Sequence, residues 1–171
     1  NTATVNPSGV TLGGGYIWGA STYSCELFKL THKGDTVETY DTPGKGVVAY
    51  ANSEDQPPTG AHGMEWVDNN NMWVAVPPAQ KVFLVDPSNM SVKHSIPTPG
   101  IRPHGLFMHN EFIWLADTQE AKIHKLDPDD GTILDEIEIS EPEIHGMTLK
   151  DNDIWFCCSE TRRVCTVPLP I

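Results

Sequence analysis

The chain has 171 residues and is strongly acidic, with 23 Asp and Glu residues against 11 Lys and Arg and a formal net charge of −12. This excess of negative charge repels phosphate groups, so neither nucleic acid nor a membrane surface is expected as a partner. The sequence has no run of 18 apolar residues and predicts a soluble protein without a membrane-spanning helix. Its length suits one domain with its own hydrophobic core.

The predicted elements begin with an isolated extended segment from Thr2 to Val5 and continue as four similar units. Each unit contains a short apolar run, a second run with an aliphatic residue followed by Trp, and a third extended run after a polar turn. The tryptophans that align the units are Trp18, Trp73, Trp114 and Trp155. Apolar runs bounded by turn residues predict β-hairpins, and helical periodicity is absent.

The outer part of each unit follows the same plan. The third runs are Glu26 to Leu30, Lys81 to Val85, Lys122 to Leu126 and Arg163 to Val167. In three units a turn rich in Asp, Pro, Asn or Gly leads to a fourth strand, at Val37 to Tyr40, Val92 to Ile96 and Ile133 to Ile139. Four antiparallel strands that recur about every 41 residues are typical of a β-propeller blade. The sequence therefore predicts one all-β propeller domain of four blades over residues 1–171.

The fourth unit contains no fourth strand of its own. The segment from Thr2 to Val5 is predicted to supply that strand, which would close the ring and remove an exposed sheet edge. A monomer with four blades is the simplest product. Two chains that exchange these strands would instead form a homodimer with an eight-bladed ring. The sequence leaves both assemblies open.

The first unit is connected to the second by a longer segment than those that join the later units. Trp18 and Trp73 are 55 residues apart, whereas the later tryptophans are 41 apart. The additional residues fall within 41–60, where several Gly and Pro residues predict an irregular loop. In a propeller this loop should lie on the face where each innermost strand begins. Both a lid over that face and a plain surface loop are compatible with the sequence.

A His-Gly pair opens each of the last three units: His62-Gly63, His104-Gly105 and His145-Gly146. Since each pair begins an innermost strand, ring closure should bring His62, His104 and His145 together at the central channel. Three neutral imidazoles are a recurrent ligand set for zinc and also suit iron, copper or nickel. A bound divalent metal ion would lower the pKa of its water or polarise a substrate oxygen.

A structural role for the same pairs is the alternative. Glycine permits close approach of two backbones, and histidine can bond a neighbouring turn to fix adjacent blades. Two features favour the metal site. Ser8 replaces histidine in the first unit, although a purely structural device should serve every blade. The acidic composition also favours the binding of cations, but this preference applies to the whole surface and does not point to a particular site.

Turns between the second and third strands of each unit should lie on the same face as the histidines. Three side chains in these turns can act as an acid, a base or an anion clamp, and they are predicted as catalytic helpers: Tyr23, Glu120 and Arg162. Each of them could equally be a solvated turn residue. Glu65, three residues after His62, could reach the channel or face water.

The four cysteines are too few for a disulfide scaffold and contain no CxxC pair. Free thiols are therefore expected for all four. The short turn between Cys158 and Cys165 also makes a local disulfide conceivable.

The repeat resembles that of the streptogramin lyase and NHL-like β-propeller superfamily. The resemblance rests on Pro before His-Gly, then Ile-Trp-x-Ala-Asp, then Lys-Ile-x-Lys-Leu-Asp-Pro-x-x-Gly, and it is clearest from Arg102 to Gly131. That superfamily includes metal-dependent lyases and lactone hydrolases as well as sensors and binding modules. The resemblance implies a zinc-binding role for His62, His104 and His145, similar to the histidines that peptidylglycine lyase contributes from separate blades.

Two functions follow as expectations. The first is a metal-dependent propeller enzyme, a lyase or hydrolase that acts on a small molecule at the three histidines in the central channel. The second is a non-catalytic propeller that binds a protein or a small ligand on its top face, with the His-Gly pairs serving the scaffold.

Overall fold

A computed structural model of the chain describes residues 6–49 and 56–170. These residues form fifteen β-strands in four antiparallel sheets, which confirms the predicted four-bladed all-β propeller. The helical structure in the described ranges is a single 3-10 turn, Pro77–Ala79. No helix in those ranges is long or apolar enough to cross a membrane.

Each blade is a meander of consecutive strands that pair with their neighbours in the sequence. The first blade contains β1 (Pro7–Gly13), β2 (Tyr16–Ser21), β3 (Glu26–Leu30) and β4 (Thr36–Asp41). The second contains β5 (Met64–Asp68), β6 (Asn71–Val76), β7 (Lys81–Val85) and β8 (Val92–Pro97). The third contains β9 (Pro103–His109), β10 (Phe112–Asp117), β11 (Lys122–Leu126) and β12 (Ile133–Glu138). The fourth contains β13 (Ile144–Lys150), β14 (Asp153–Cys158) and β15 (Arg163–Pro168).

The fourth blade has three strands in the described residues, as the sequence predicts. The segment from Thr2 to Val5, which is predicted to complete this blade, lies outside the described residues. The innermost strand of the first blade is β1, and its second and third residues, Ser8 and Gly9, correspond to the His-Gly pairs of the other blades.

Tight turns of two residues join the first and second strands of three blades. Gly14 and Gly15, Asn110 and Glu111, and Asp151 and Asn152 all have positive φ angles. Two consecutive left-handed residues match the twist of the flanking antiparallel strands, so these turns fix the register of each hairpin. They place the tryptophan strand directly beside the innermost strand.

Three hydrophobic cores hold the four blades together, and each core lies between two neighbouring blades. In every core the tryptophan side of one blade meets the opposite side of the next blade. Trp18, Trp73 and Trp114 supply these contacts and are 2–4% exposed. A single sheet cannot bury either face alone, so stacking between blades provides the core of the domain.

Glycine sets the spacing between innermost strands. A Cβ atom placed on Gly9 would overlap the carbonyl oxygen of His62, and one on Gly63 would overlap that of His104. The same relation holds between Gly105 and the carbonyl oxygen of His145. These glycines are therefore required because each blade packs backbone against backbone at the axis.

One face of the fourth blade is not covered by another blade in the described residues. Its tryptophan, Trp155, is 40% exposed, and Val164 on the adjacent strand is 69% exposed. Gly146 has no contact of the kind made by the earlier glycines, since the nearest atom to an added Cβ is the Cys157 sulfur at 3.7 Å. Within residues 6–49 and 56–170, the blades pack in the order first to fourth, and no comparable interface joins the fourth blade to the first.

Part of the predicted irregular loop at residues 41–60 is described. Gly46 and Thr59 form an isolated antiparallel bridge, and Gly44 packs closely on Ala79 and Phe83 of the second blade. The described part of the loop thus lies against the turn between β6 and β7.

We predict that replacing Gly63 or Gly105 with Ala destabilises the fold by roughly 2–3 kcal/mol, because the added methyl group meets a backbone carbonyl that cannot move freely. Gly146→Ala is the matched control and should change stability little, since its Cβ meets only ordinary contacts. Urea unfolding in dilute solution measures all three variants. Equal losses at Gly63, Gly105 and Gly146 would contradict the proposed role of backbone packing.

Candidate functional site

The histidines of the three His-Gly pairs meet at the axis. The ring centroids of His62 and His104 are 4.0 Å apart with an angle of 7° between the planes. Those of His104 and His145 are 4.4 Å apart with an angle of 43°. The close packing of the inner strands explains these short separations, because it places equivalent Cα atoms of adjacent blades side by side.

Hydrogen bonds extend this stack into a row of four side chains, one from each blade. The Oγ atom of Ser8 is 3.0 Å from Nδ1 of His62, and Nδ1 of His104 is 3.0 Å from Nδ1 of His145. The Nε2 atom of His104 is buried without a hydrogen-bond partner in the described residues. The row therefore holds ring nitrogens that the protein itself does not fully satisfy.

An ion pair between Arg102 and Glu143 lies at the end of the row, next to His145. Arg102 donates two hydrogen bonds to the Glu143 carboxylate, at 2.7 and 3.2 Å, in a bidentate arrangement. Oε2 of Glu143 also lies 3.6 Å from Nε2 of His145. The carboxylate is thus placed to orient the His145 ring. Both residues directly precede innermost strands, but no sequence pattern indicates that they pair.

Asp117 fixes the segment that carries Arg102. Its side chain is 1% exposed and accepts hydrogen bonds from the backbone N–H groups of Arg102, Gln119 and Glu120, at 2.9, 3.0 and 2.9 Å. A buried carboxylate with three such donors is well satisfied and holds both chain segments in place. Asp117 is the aspartate of the repeat motif, so its role is to position the site rather than to react.

Burial keeps the imidazoles neutral. Burial, together with smaller contributions from the charges of His145 and Arg102, lowers the pKa of His62 from 6.5 to about 4. Burial also holds the pKa of His104 far below its ordinary value, with contributions from His62 and His145. The pKa of His145 is lowered by burial, although Glu143 acts in the opposite direction. Neutral imidazoles can accept protons or bind metal ions.

The pKa of the Glu143 carboxyl is lowered overall. Burial on its own would raise that pKa, but the hydrogen bond and the charge of Arg102 outweigh burial. Glu143 is therefore an anion beside His145.

The row of side chains lies in an open cavity of about 660 Å³. Val10 and Leu12 of β1 line one side, and Trp155 and Val164 of the fourth blade line the other. A cavity of this volume with apolar walls and a few polar groups suits a small organic molecule.

Glu65 also lines the cavity. Of the two positions that the sequence allows for this side chain, the channel or the solvent, the structure has the channel. Its Oε1 atom accepts a weak hydrogen bond of 3.4 Å from the backbone N–H of Met108. Burial raises the pKa of this carboxyl, and the backbone donor only partly offsets that effect.

The arrangement of the rings bears on the predicted metal site. The His62 and His104 rings are nearly parallel, so their in-plane lone pairs do not point at a common ion. In the part of the chain that the structure describes, no group of three His, Cys, Asp or Glu side chains is placed to hold a metal ion.

The three predicted helpers occupy the predicted turns but do not line the cavity. Tyr23 and Arg162 are exposed. Glu120 lies 3.4 Å from Nε2 of His124, a buried residue on the same blade. The structure thus brings together His62, His104 and His145 and leaves these three side chains apart from them.

All four cysteines are free. Cys158 and Cys165 lie on adjacent strands but do not face each other, because Cys158 pairs with Arg163 and Cys165 with Phe156. The conceivable disulfide between them is absent.

Solved structures show what this fold is similar to. The chain superposes with a TM-score of 0.77 on glutaminyl cyclase from Myxococcus xanthus, at 11% identity over 98% of this chain and 68% of that chain. It superposes with a TM-score of 0.62 on virginiamycin B lyase from Staphylococcus aureus, at 19% identity over 96% of this chain and 56% of that chain. A catalytically inactive His→Ala variant of the lyase, with quinupristin, gives the same values.

These likenesses establish the fold and confirm the resemblance to streptogramin lyase propellers at that level. The chain spans somewhat over half the length of the lyase. A scan against protein-family models gives no match, and neither does a search of curated proteins.

We predict that the folded protein loses stability as the pH falls from about 6.5 to about 4. Folded His62 stays neutral down to about pH 4, whereas in the unfolded chain it takes up a proton near its ordinary pKa of 6.5. The unfolded state binds more protons across this window, so acid favours unfolding. Thermal unfolding in the presence of EDTA measures the effect.

His62→Gln cannot titrate and should give a shallower pH dependence than the wild-type protein. His32→Gln, in the exposed turn between β3 and β4, serves as the control for loss of a histidine outside the axial row. A slope in His62→Gln equal to that of the wild-type protein would show that His62 is not kept neutral by folding.

Proposed function

We propose that the chain is a propeller enzyme, a lyase or hydrolase, that acts on a small organic molecule bound at the axial row of histidines. The observation that carries this proposal is the set of neutral, buried or half-buried imidazoles that line a cavity with apolar walls. A scaffold does not need a buried ring nitrogen without a hydrogen-bond partner, such as Nε2 of His104. Such groups are suited to proton transfer.

His62 is the proposed proton acceptor. Its Nδ1 atom faces the Ser8 hydroxyl, and no partner is found for its Nε2 atom in the described residues. If Nδ1 carries the proton and donates it to Ser8, the Nε2 lone pair is free to accept a proton from the substrate. Ser8 then acts as the group that fixes the tautomer and the orientation of the ring.

The ion pair of Arg102 and Glu143 supports the other end of the row. Glu143 stays ionised and orients His145, and Arg102 holds the carboxylate with two hydrogen bonds. Together with burial, the charge of Arg102 lowers the pKa of His104 and so favours the neutral imidazole, whereas Glu143 acts in the opposite direction on His145.

The similar structures support the reaction class. A propeller of this fold is a lyase, and replacing one histidine with Ala makes it inactive. In an elimination at an ester, a base removes a proton from the carbon next to the alkoxy carbon, a C=C bond forms between these two carbons, and the bond from the alkoxy carbon to the ester oxygen breaks, so that the carboxylate leaves. A row of neutral imidazoles supplies that base. The proposed substrates are therefore esters and lactones, including cyclic peptides closed by an ester.

We predict that His62→Ala lowers kcat roughly 10²–10⁴-fold, the usual contribution of a positioned general base. Ser8→Ala should cost less, since it removes only the hydrogen bond that orients the ring. His32→Ala, in an exposed turn, is the matched control and should retain full activity. The assay uses a panel of lactones together with quinupristin, followed by mass spectrometry.

The product mass separates the two reactions. Elimination opens a cyclic ester without a change in mass, whereas hydrolysis adds the mass of one water. If no panel member is consumed, while quinupristin or a protein ligand binds with an affinity unaffected by His62→Ala, the non-catalytic binding function is favoured instead. The same assay tests the predicted helpers with three variants: Tyr23→Phe, Glu120→Gln and Arg162→Met.

A divalent metal ion remains part of the proposal. His104 and His145 would hold it through their Nδ1 atoms, and His62 would join only after its ring leaves the stack. The ion would polarise a substrate oxygen.

We predict about one equivalent of zinc in protein dialysed against zinc and much less in His104→Ala, measured by elemental analysis. Iron, copper and nickel are tested in the same way. The His32→Ala variant controls for adventitious binding. Equal metal content in all three proteins would rule out a site at the axis.

A further inference from the structure

We propose that Glu143 fixes where the protons lie in the pair of His104 and His145: His145 is protonated on Nε2, and His104 is protonated on Nδ1. Glu143 is then a positioning residue that acts on His104 through the His145 ring. The inference goes beyond the proposed function, which places the proton acceptor at His62. It concerns the free protein and is tested without a substrate, so it holds or fails independently of that function.

The contact between the two rings requires one shared proton. The Nδ1 atoms of His104 and His145 are 3.0 Å apart. Two N–H groups would clash at this distance and two lone pairs would repel each other, so one Nδ1 atom donates and the other accepts. Burial lowers the pKa of both rings, and a neutral imidazole carries a single proton. The ring that donates from Nδ1 therefore has a lone pair at Nε2, and the ring that accepts has its proton at Nε2.

Glu143 distinguishes the two possible arrangements. Its Oε2 atom lies 3.6 Å from Nε2 of His145. Arg102 binds the other carboxylate oxygen more closely, at 2.7 Å against 3.2 Å for Oε2, and its charge helps to keep the carboxylate ionised. An anion attracts an N–H group at this position and repels a lone pair. His145 is therefore protonated on Nε2 and accepts a hydrogen bond at Nδ1 from His104.

The reverse arrangement would be unfavourable at both ends of the pair. His145 would direct a lone pair at the Glu143 carboxylate. Nε2 of His104, which is buried and has no hydrogen-bond partner in the described residues, would be an N–H group without an acceptor. In the proposed arrangement the same Nε2 atom is a lone pair, and the carboxylate faces an N–H group.

The proposed arrangement also gives the two stacked rings the same tautomer. His62 donates from Nδ1 to Ser8 in the proposed function, and His104 donates from Nδ1 to His145. Both stacked rings, whose planes differ by 7°, then carry a lone pair at Nε2. The stack thus favours ligand groups that donate a proton and disfavours anions. Only this consequence rests on the proposed function.

Nitrogen-15 NMR of the labelled 171-residue chain near neutral pH tests the assignment. In long-range proton–nitrogen correlation spectra, a protonated ring nitrogen gives a pyrrole-type signal and an unprotonated one gives a pyridine-type signal. We expect a pyrrole-type Nδ1 and a pyridine-type Nε2 for His104, and the reverse for His145. The spectra of His104→Gln and His145→Gln identify the signals. The sample contains EDTA, because an ion on both Nδ1 atoms would displace the shared proton.

Glu143→Gln tests the cause of the arrangement. The amide keeps the shape of the side chain but can donate as well as accept, so it removes the preference for a proton on Nε2 of His145. We expect the Nδ1 signal of His104 to move toward the pyridine-type position and that of His145 to move the opposite way. Glu141→Gln is the matched control, since that carboxylate binds Arg163 instead, and it should leave both patterns unchanged.

Two results would overturn the inference. One is a wild-type spectrum with the protons on Nδ1 of His145 and Nε2 of His104, which decides the matter even if Glu143→Gln does not fold. The other is a folded Glu143→Gln protein whose ring signals match those of the wild-type protein, since Glu143 would then not set the tautomers. Failure of the lactone assay bears on the proposed function alone, because the spectra need no turnover.

Discussion

The contact between a glycine and the carbonyl oxygen of the next blade determines the rest of the structure. It brings neighbouring innermost strands as close as two backbones can lie, and no larger residue than glycine fits at Gly9, Gly63 or Gly105. The residue before each glycine is then forced toward its counterpart, so the imidazoles stack at about 4 Å. The tryptophan cores between blades supply most of the apolar burial, and they make this close approach stable.

The chemistry of the axis is a consequence of that packing. Stacking removes water from the rings, and burial disfavours the charged imidazolium form, so His62 and His104 stay neutral. The same stacking works against a centre of three histidines, because parallel rings cannot direct their lone pairs to one point. One backbone constraint thus keeps the imidazoles neutral and restricts how a metal ion can bind.

The sequence predicted the blades because their signals are local and repeated: the His-Gly pair, the tryptophan strand and the turn of Asp and Pro. It also predicted that His62, His104 and His145 meet, since equivalent positions of a ring converge. The ion pair of Arg102 and Glu143 was beyond sequence reasoning, because the two residues are 41 apart and pair only through the packing of two blades. Tyr23, Glu120 and Arg162 were placed on the correct turns, but no periodic signal reports how far a turn lies from the cavity.

The uncovered face of the fourth blade forms part of the wall of the candidate site. The axial cavity opens where Trp155 and Val164 lack a neighbouring blade, so whatever covers this face also controls the dielectric environment of the histidines. A substrate in an open cavity competes with water for the ring nitrogens, whereas in a covered cavity the electrostatic effect of Arg102 and Glu143 is stronger. Blade packing would therefore act twice in the proposed enzyme: it brings the histidines together, and the open face of the fourth blade determines how much water they meet.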